Sequence, residues 1–387
     1  MMRSSILIYV QHLLGTGHLR RAALIARALD ESDFNVHLVS GGRPLPDLAL
    51  GGAHLHQLRP IAAADEGFRT LIDELDRPVD DKLRNERRAQ LLAVFEKSRA
   101  DAVIFEMYPF GRRQMAFEIL PLLDRIRSSI TRPLLVSSVR DIAQARTPNV
   151  MAEMADAARA FDYIMVHGDP ALVDFGASFP MTAAFDDKLH YTGYVIPAPA
   201  DRGQPGDPGW DEVIVSAGGG AVGRTLLETA IHARPLTVLR PCRWRFLAGP
   251  NLDEADFLSL KRAAPDSIVE RARADFSGLL ANCRLSISQA GYNTIMEVIA
   301  ARVPAVVVPY SGQGQTEQNL RANVLMRRGL AEAVIESDLS PKSLAQAIDR
   351  AASRRAHGHL DIRLDGAAES ARLMTHWLLR HRSMRAE

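Results

Sequence analysis

The chain has 387 residues, which at about 100 to 200 residues per domain implies two domains or three, with length enough for a sizeable core. Hydrophobic residues make up 47% and charged residues 24%, the balance of an ordinary globular protein, which excludes a disordered or fibrous chain. Lys and Arg number 47 against 46 Asp and Glu, a net charge of +1 that offers no global attraction for nucleic acid, so any anionic partner must be met locally.

In chain order, Ile6 to Val10 reads as a buried strand, followed by a glycine-containing loop, a helix over His18 to Leu29 and a strand at Val36 to Ser40. The region Asp65 to Arg99 is polar and reads as helical, with Lys82 to Arg88 as a solvated basic face. The β-loop-α grammar then recurs: strand Ala102 to Phe105, helix Met115 to Arg127, and strands Leu134 to Ser138 and Tyr163 to Val166. Prolines and glycines cluster from Pro197 to Gly209 and mark a linker. Beyond it come strand Val213 to Ser216, helix Thr225 to Ala233, strand Trp244 to Ala248, strand Leu285 to Ser288, helix Thr294 to Ala300 and strand Ala305 to Pro309. The stretch Arg240 to Phe246 reads as a strand entry with solvated arginines, and the last twenty residues as a terminal helix with a basic end.

Strands alternating with helices imply parallel sheets, and the expectation is an α/β chain of two Rossmann-like doubly wound domains facing across a cleft. Residues 1–198 form the first, 209–365 the second, and 366–387 a helix that returns to the first. Cys242 and Cys283 lack any CxxC spacing, the amino terminus is too short in apolar residues for a signal peptide, and no apolar run approaches the roughly 18 residues that span a bilayer. The expected location is the cytoplasm, with peripheral contact at the inner face of a membrane left open and oligomeric state unreadable.

Three loops could carry chemistry. Gly15-Thr16-Gly17-His18 lies between the first strand and helix, where glycines admit a ligand to the backbone and a helix N-terminus favours negative charge. It lacks the third glycine of a dinucleotide fingerprint, which demotes an oxidoreductase. Gly218-Gly219-Gly220 repeats the arrangement in the second half, with Arg224 near enough to meet a phosphate and no P-loop Lys. The most specific stretch runs from Ser286 through Gly291-Tyr292-Asn293-Thr294 to Glu297: the backbone amides of Asn293 and Thr294 suit a diphosphate, and Glu297 one turn on suits ribose hydroxyls. Gln315, Glu317 and Gln318 follow the next strand and can reach the same crevice to meet sugar hydroxyls.

These residues resemble nucleotide-sugar glycosyltransferases of the two-Rossmann-domain type, GT-B, and among them the bacterial N-acetylglucosaminyltransferase that completes lipid II and the plant galactolipid synthases. The shared pattern is carried by Gly291, Thr294, Glu297, Pro309, Glu317 and Gln318, with the Gly15 to His18 loop and Tyr191-Thr192-Gly193-Tyr194-Val195 similar in the other half. The resemblance implies a UDP-sugar donor and a hydroxyl acceptor. Glu297 would hold the ribose, Gly218 to Gly220 with Asn293 and Thr294 the diphosphate, Glu317 and Gln318 the sugar, and the segment of Arg273 and Phe276 the base. Glu317 stands where the lipid II enzyme carries Gln. The segment Glu106 to Arg113 is similar to an uncharacterised group of predicted bacterial glycosyltransferases.

In the first half, Glu106, Arg140-Asp141 and His167-Gly168-Asp169 end successive strands and share one carboxyl edge. Inverting transfer needs a base, and His18, Glu106 and Asp141 remain unranked candidates. Amides and helix dipoles suffice for the leaving diphosphate, so no metal and no cofactor are expected. Three other readings stay open: a nucleotide-sugar hydrolase, an epimerase on the same fold, and a non-catalytic nucleotide-sugar-binding protein.

Overall fold

Six consecutive residues, Ser5–Val10, are buried on both faces, the signature of a strand inside a sheet covered by helices on either side. In the computed structural model, which describes residues 3–46, 48–65, 70–217, 223–249, 252–312, 316–354 and 361–386, this strand is β1, an interior strand of a seven-stranded sheet. The chain divides into two units, Met1–Val195 with Ile362–Glu387, and Ile196–Asp361.

The first unit runs β1 (Ser5–Val10), α1 (Gly17–Glu31), β2 (Asn35–Ser40), β3 (His54–Gln57), β4 (Ala62–Ala63), β5 (Leu71–Ile72), α2 (Asp81–Ser98) and β6 (Ala102–Glu106). It continues with α3 (Ala116–Arg127), β7 (Leu134–Arg140), α4 (Pro148–Ala158), β8 (Tyr163–His167) and β9 (Leu189–Tyr191). The large sheet has the order β3-β2-β1-β6-β7-β8-β9 with every pair parallel. Strand order reverses between β1 and β6, and ligands of doubly wound sheets bind outside the carboxyl ends of the strands at such a reversal.

The second unit runs β10 (Val213–Ser216), α5 (Arg224–Ala233), β11 (Trp244–Ala248), α6 (Glu254–Ala263), β12 (Ile268–Arg271), α7 (Phe276–Asn282) and β13 (Leu285–Ser288). It closes with α8 (Tyr292–Ala301), β14 (Ala305–Val307), α9 (Glu317–Arg327), β15 (Glu332–Ala333) and α10 (Pro341–Ser353). Its parallel sheet has the order β12-β11-β10-β13-β14-β15, reversing between β10 and β13. The Pro197 to Gly209 stretch is packed into this unit: Gly203 N donates to Asn282 Oδ1 (2.7 Å) and Asn282 Nδ2 to the Pro208 carbonyl (2.9 Å).

The chain then returns to the first unit. Tyr194 N donates to the Arg363 carbonyl (2.8 Å), Gly366 N to the Tyr194 carbonyl (3.0 Å), and Val195 bridges Asp365. Gly193 has φ +85° and a Cβ there would sit 2.9 Å from the Arg363 carbonyl oxygen, so the crossing needs glycine on both counts. Helix α11 (Gly366–Ala386) packs on α1, and Trp377 stacks on Tyr163 at 4.0 Å between nearly parallel rings.

Three expectations are corrected. Among the described residues of the Asp65 to Arg99 region, Asp81–Ser98 alone is helical. Asp73 accepts from the amides of Leu75 and Arg77 (both 2.9 Å), Asp76 has φ +58°, and Pro78 has no amide to give, so the chain turns here instead of coiling. The basic run is not wholly solvated: Arg87 falls between Leu83 and Leu91 on the buried face of α2 and is itself fully buried against Glu118. Arg245, expected in water, is buried with Nε 2.6 Å from Glu212 Oε2 and NH1 2.6 Å from Glu270 Oε1.

Candidate functional site

The loop after β1 carries α1 into its first turn with His18 at the strand-order reversal. Glu106, the last residue of β6, lies on the other side of that reversal, and His18 Nδ1 is 2.9 Å from its Oε1. The imidazole side chain keeps 13% of its surface exposed and the carboxylate 1%. Glu106 also accepts from Arg21 NH2, one turn beyond His18 on α1, and from Ser138 Oγ of β7 (2.5 Å). Ser138 Oγ is 2.9 Å from His167 Nε2 on β8, and His167 Nδ1 is 2.9 Å from Thr192 Oγ1. A chain of polar contacts thus runs along the carboxyl edge from α1 to the end of β9, and its only partly exposed member is His18.

With Nδ1–H donated to the carboxylate, His18 presents the lone pair of Nε2 as its free end. Burial first, and then the charges of Arg140, Arg112, Arg21 and His12, hold its pKa well below the usual 6.5. The imidazole is therefore unprotonated at neutral pH, with its lone pair available. Burial likewise lowers the pKa of His167. Two consequences follow for pH. The acid limb of kcat/KM governed by His18 is expected below pH 6.5, and a limb at or above that value in a pH–rate profile would contradict this electrostatic picture. Because the unfolded chain binds protons that these two folded imidazoles decline, both also make stability fall as pH drops through and below 6.5.

The three candidate bases are now distinguished by burial. Asp141 is fully buried, with Tyr194 Oη 3.3 Å from Oδ2, and is corrected from candidate base to structural carboxylate. Glu106 is 1% exposed and its oxygens face Arg21, Ser138 and His18 from inside the protein. Asp169 anchors the returning chain by accepting from Arg363 N (2.9 Å). Gly15 is exposed with open space where a Cβ would lie, and Thr16 and Gly17 open α1, whose first amides face outward.

In the second unit the turn after β13 leads through Gln289, Ala290 and the N-cap Gly291 into α8, at the reversal between β10 and β13. Asn293 and Thr294 occupy the first turn, half-buried, where amide hydrogens have no intrahelical partner. Glu297 is half-buried and lines a small cavity with Ile196, Pro197, Pro199, Ala200 and Ser277. Arg321 of α9 fixes the relation of this turn to the next loop: NH1 donates to the Ala290 carbonyl (2.9 Å), NH2 to Glu317 Oε1 (2.9 Å), and its guanidinium lies 5.7 Å from the centre of the Tyr292 ring.

Several donor-site expectations change in this light. The Tyr292 ring is 2% exposed and packs inside, so its side chain is corrected from ligand contact to core. Gln318 Oε1 accepts from Tyr310 N (3.1 Å), closing the loop on itself. Arg224 lies at the surface, ion-paired with Glu228 (2.7 Å) and Asp256. Arg273 grips Asp275 through Nε (2.7 Å) and NH2 (2.6 Å), directly before Phe276 opens α7. Gly218, Gly219, Gly220 and Gln315 lie outside the described residues. Arg321 and the Ser138–His167 link were missed; the i, i+4 spacing of Glu317 and Arg321 was the available signal for the first.

Comparison with solved structures places the fold among GT-B glycosyltransferases. The calicheamicin glycosyltransferase CalG4 has a TM-score of 0.61 at 16% identity over 98% of this chain and 95% of its own. MurG of Acinetobacter baumannii has a TM-score of 0.59 at 17% identity over 98% and 99%. Residues 219–360 match the glycosyltransferase family 28 C-terminal domain. The uncharacterized glycosyltransferase MK0977 of Methanopyrus kandleri is 29% identical over 139 residues, 36% of this chain and 37% of its own. The UDP-N-acetylglucosamine–N-acetylmuramyl-(pentapeptide) pyrophosphoryl-undecaprenol N-acetylglucosamine transferase of Synechococcus sp. is 29% identical over 151 residues, 39% and 40% of the two chains. The chain thus spans about two fifths of the length of the curated relatives it matches. It is an α/β chain of GT-B fold whose residues 219–360 are similar to the family 28 C-terminal domain, and it resembles the lipid II N-acetylglucosaminyltransferase.

Proposed function

We propose that this protein transfers a sugar from a UDP-sugar to a hydroxyl acceptor with inversion and without a metal ion. The observation that carries the reading is the His18–Glu106 pair: a buried carboxylate orients a partly exposed, neutral imidazole at the strand-order reversal. In the proposed step His18 Nε2 takes the acceptor hydroxyl proton as the oxygen bonds to the anomeric carbon and the bond from that carbon to the diphosphate breaks, releasing UDP. The resulting imidazolium is stabilised by Glu106. The first-turn amides of Asn293 and Thr294 are suited to the charge that develops on the diphosphate, and Glu297 to the ribose hydroxyls. The family 28 match covers this donor half. Free Cys242 and Cys283 agree with a reducing, cytoplasmic setting, and no helix among the described residues is long and apolar enough to cross a membrane.

The test is calorimetric titration with UDP, UDP-N-acetylglucosamine, UDP-glucose, UDP-galactose, UDP-glucuronate and a purine diphosphate, in the absence of divalent metal. Selective uridine binding is expected, and Glu297→Ala should weaken it by about 1–3 kcal/mol through loss of a charge-assisted hydrogen bond. Failure of every uridine nucleotide to bind would overturn the donor assignment, and unchanged affinity in a folded Glu297→Ala protein would remove Glu297 from the site. Release of UDP only when a hydroxyl acceptor is present separates transfer from hydrolysis.

A further inference from the structure

Beside His18, Arg112 is a cation with no carboxylate partner within ion-pair distance among the described residues. Arg112 sits in the loop between β6 and α3, half-buried, and its Nε donates to the carbonyl of Gln11 (2.5 Å) in the loop that leads to His18. A guanidinium has five N–H donors in a planar fork, and Arg112 makes no ion pair among the described residues. Its neighbours differ: Arg21 is paired with Glu106, and Arg113, next in the chain, with Glu153 at the surface. Burial and the charge of Arg140 lower the pKa of Arg112 to about 10, Arg21 adds to this, and Glu106 acts against it. The side chain is held where its own charge is disfavoured, beside a base whose proton affinity it also lowers.

The backbone is constrained to the same end. Met107 and Arg112 have φ +70° and +63°, the left-handed region that non-glycine residues rarely occupy, and the two flank the segment that delivers the guanidinium to Gln11. Such conformations persist where surrounding structure over-determines them, and they cluster at ligand sites. Arg112 therefore combines a fixed fork, absence of a carboxylate partner and a place on the carboxyl edge next to His18.

We infer that Arg112 receives an oxyanion of the acceptor, a carboxylate or a phosphate carried near the hydroxyl that His18 deprotonates, an inference that rests on the transfer reading above. Planar bidentate recognition of such groups is what a guanidinium does best, and a bound oxyanion would supply the countercharge that Arg112 lacks at ion-pair distance among the described residues. Arg112 is thus a specificity residue, selecting acidic over neutral acceptors of the same shape.

The experiment is calorimetry of the full chain at low ionic strength with inorganic phosphate, pyrophosphate, glucose 6-phosphate and glucuronate, with glucose as the neutral control. Saturable binding of anionic probes is expected, weakened about tenfold or more in Arg112→Gln and less in Arg112→Lys, with UDP affinity unchanged as the control for folding. Tighter binding of the phosphates than of glucuronate names phosphate as the source, and the reverse order names a carboxylate. Should Arg112→Gln fail to fold, the wild-type protein suffices: the bound anion must raise the pKa of His18 seen in its imidazole NMR resonances, against the combined pull of Arg140, Arg21, His12 and Arg112 and the opposing Glu106. No saturable anion binding, equal affinity in wild type and Arg112→Gln, or an unmoved His18 titration at saturating probe would overturn the inference. Absence of UDP binding would instead overturn the transfer reading.

Discussion

Replacement of His18 by alanine is expected to lower turnover by about 10²–10⁴-fold while leaving UDP affinity unchanged. His18 belongs to the first unit and the proposed donor contacts to the second, so removal of the imidazole takes away the proposed base without touching the residues proposed to hold the nucleotide. Glu106→Gln should slow the reaction less than His18→Ala, because an amide oxygen still accepts from Nδ1 but the countercharge for the imidazolium, and for Arg21, is gone. The measurement is steady-state release of UDP in the presence of an accepted hydroxyl compound, with nucleotide affinity determined alongside. A folded His18→Ala protein that retains turnover within a few fold of wild type would exclude His18 as the base.

A comparably large effect on stability is expected from Glu118→Ala. The Glu118 carboxylate of α3 and the Arg87 guanidinium of α2 are both fully inaccessible, joined at 2.9 Å and 2.6 Å, and Tyr9 Oη donates to the same carboxylate. Burial and the charge of Glu118 push the Tyr9 pKa upward, so the phenol remains a donor. Arg87 also donates to the Gly41 carbonyl (2.7 Å), to Gln11 Oε1 (2.9 Å) and to the Arg59 carbonyl. Loss of Glu118 would leave a buried cation without countercharge, a change that costs about 3–5 kcal/mol. The double replacement Arg87→Met with Glu118→Leu should recover much of that loss, since an apolar pair removes the uncompensated charge. Urea unfolding of the three proteins checks this: a Glu118→Ala loss below about 1 kcal/mol would show that water or rearrangement satisfies Arg87.

The same network shows how far the sequence could be read. Strands β10, β11 and β13 were legible to the residue because short stretches rich in β-branched, aromatic and aliphatic residues alternate there with helical segments and glycine-containing loops. Arg87 and Arg245 were not, because what buries a cation is a carboxylate 31 or 33 positions away, and no local pattern reports it. The carboxyl-edge residues His18, Glu106 and Asp141 were identifiable as a group from the order of strands. Their ranking needed side-chain exposure, which depends on packing between β6, β7 and the returning segment near Tyr194. In the donor half, Glu297 and the first turn of α8 could be placed from the spacing after Gly291, whereas the inward direction of Tyr292 and the bridging role of Arg321 arise from contact between α8 and α9 that the spacing alone does not specify.

The crossing at Val195 and Asp365 bears on the order in which the chain can fold as it is made. Residues Ile196–Asp361 form an insertion within the first unit, and α11, which supplies Trp377 to its core, is translated after them. The inserted unit has its whole sequence in hand while the first still lacks a wall for α1. On the ribosome the first unit must therefore be completed after the inserted one, keeping the apolar face of α1 uncovered until α11 emerges.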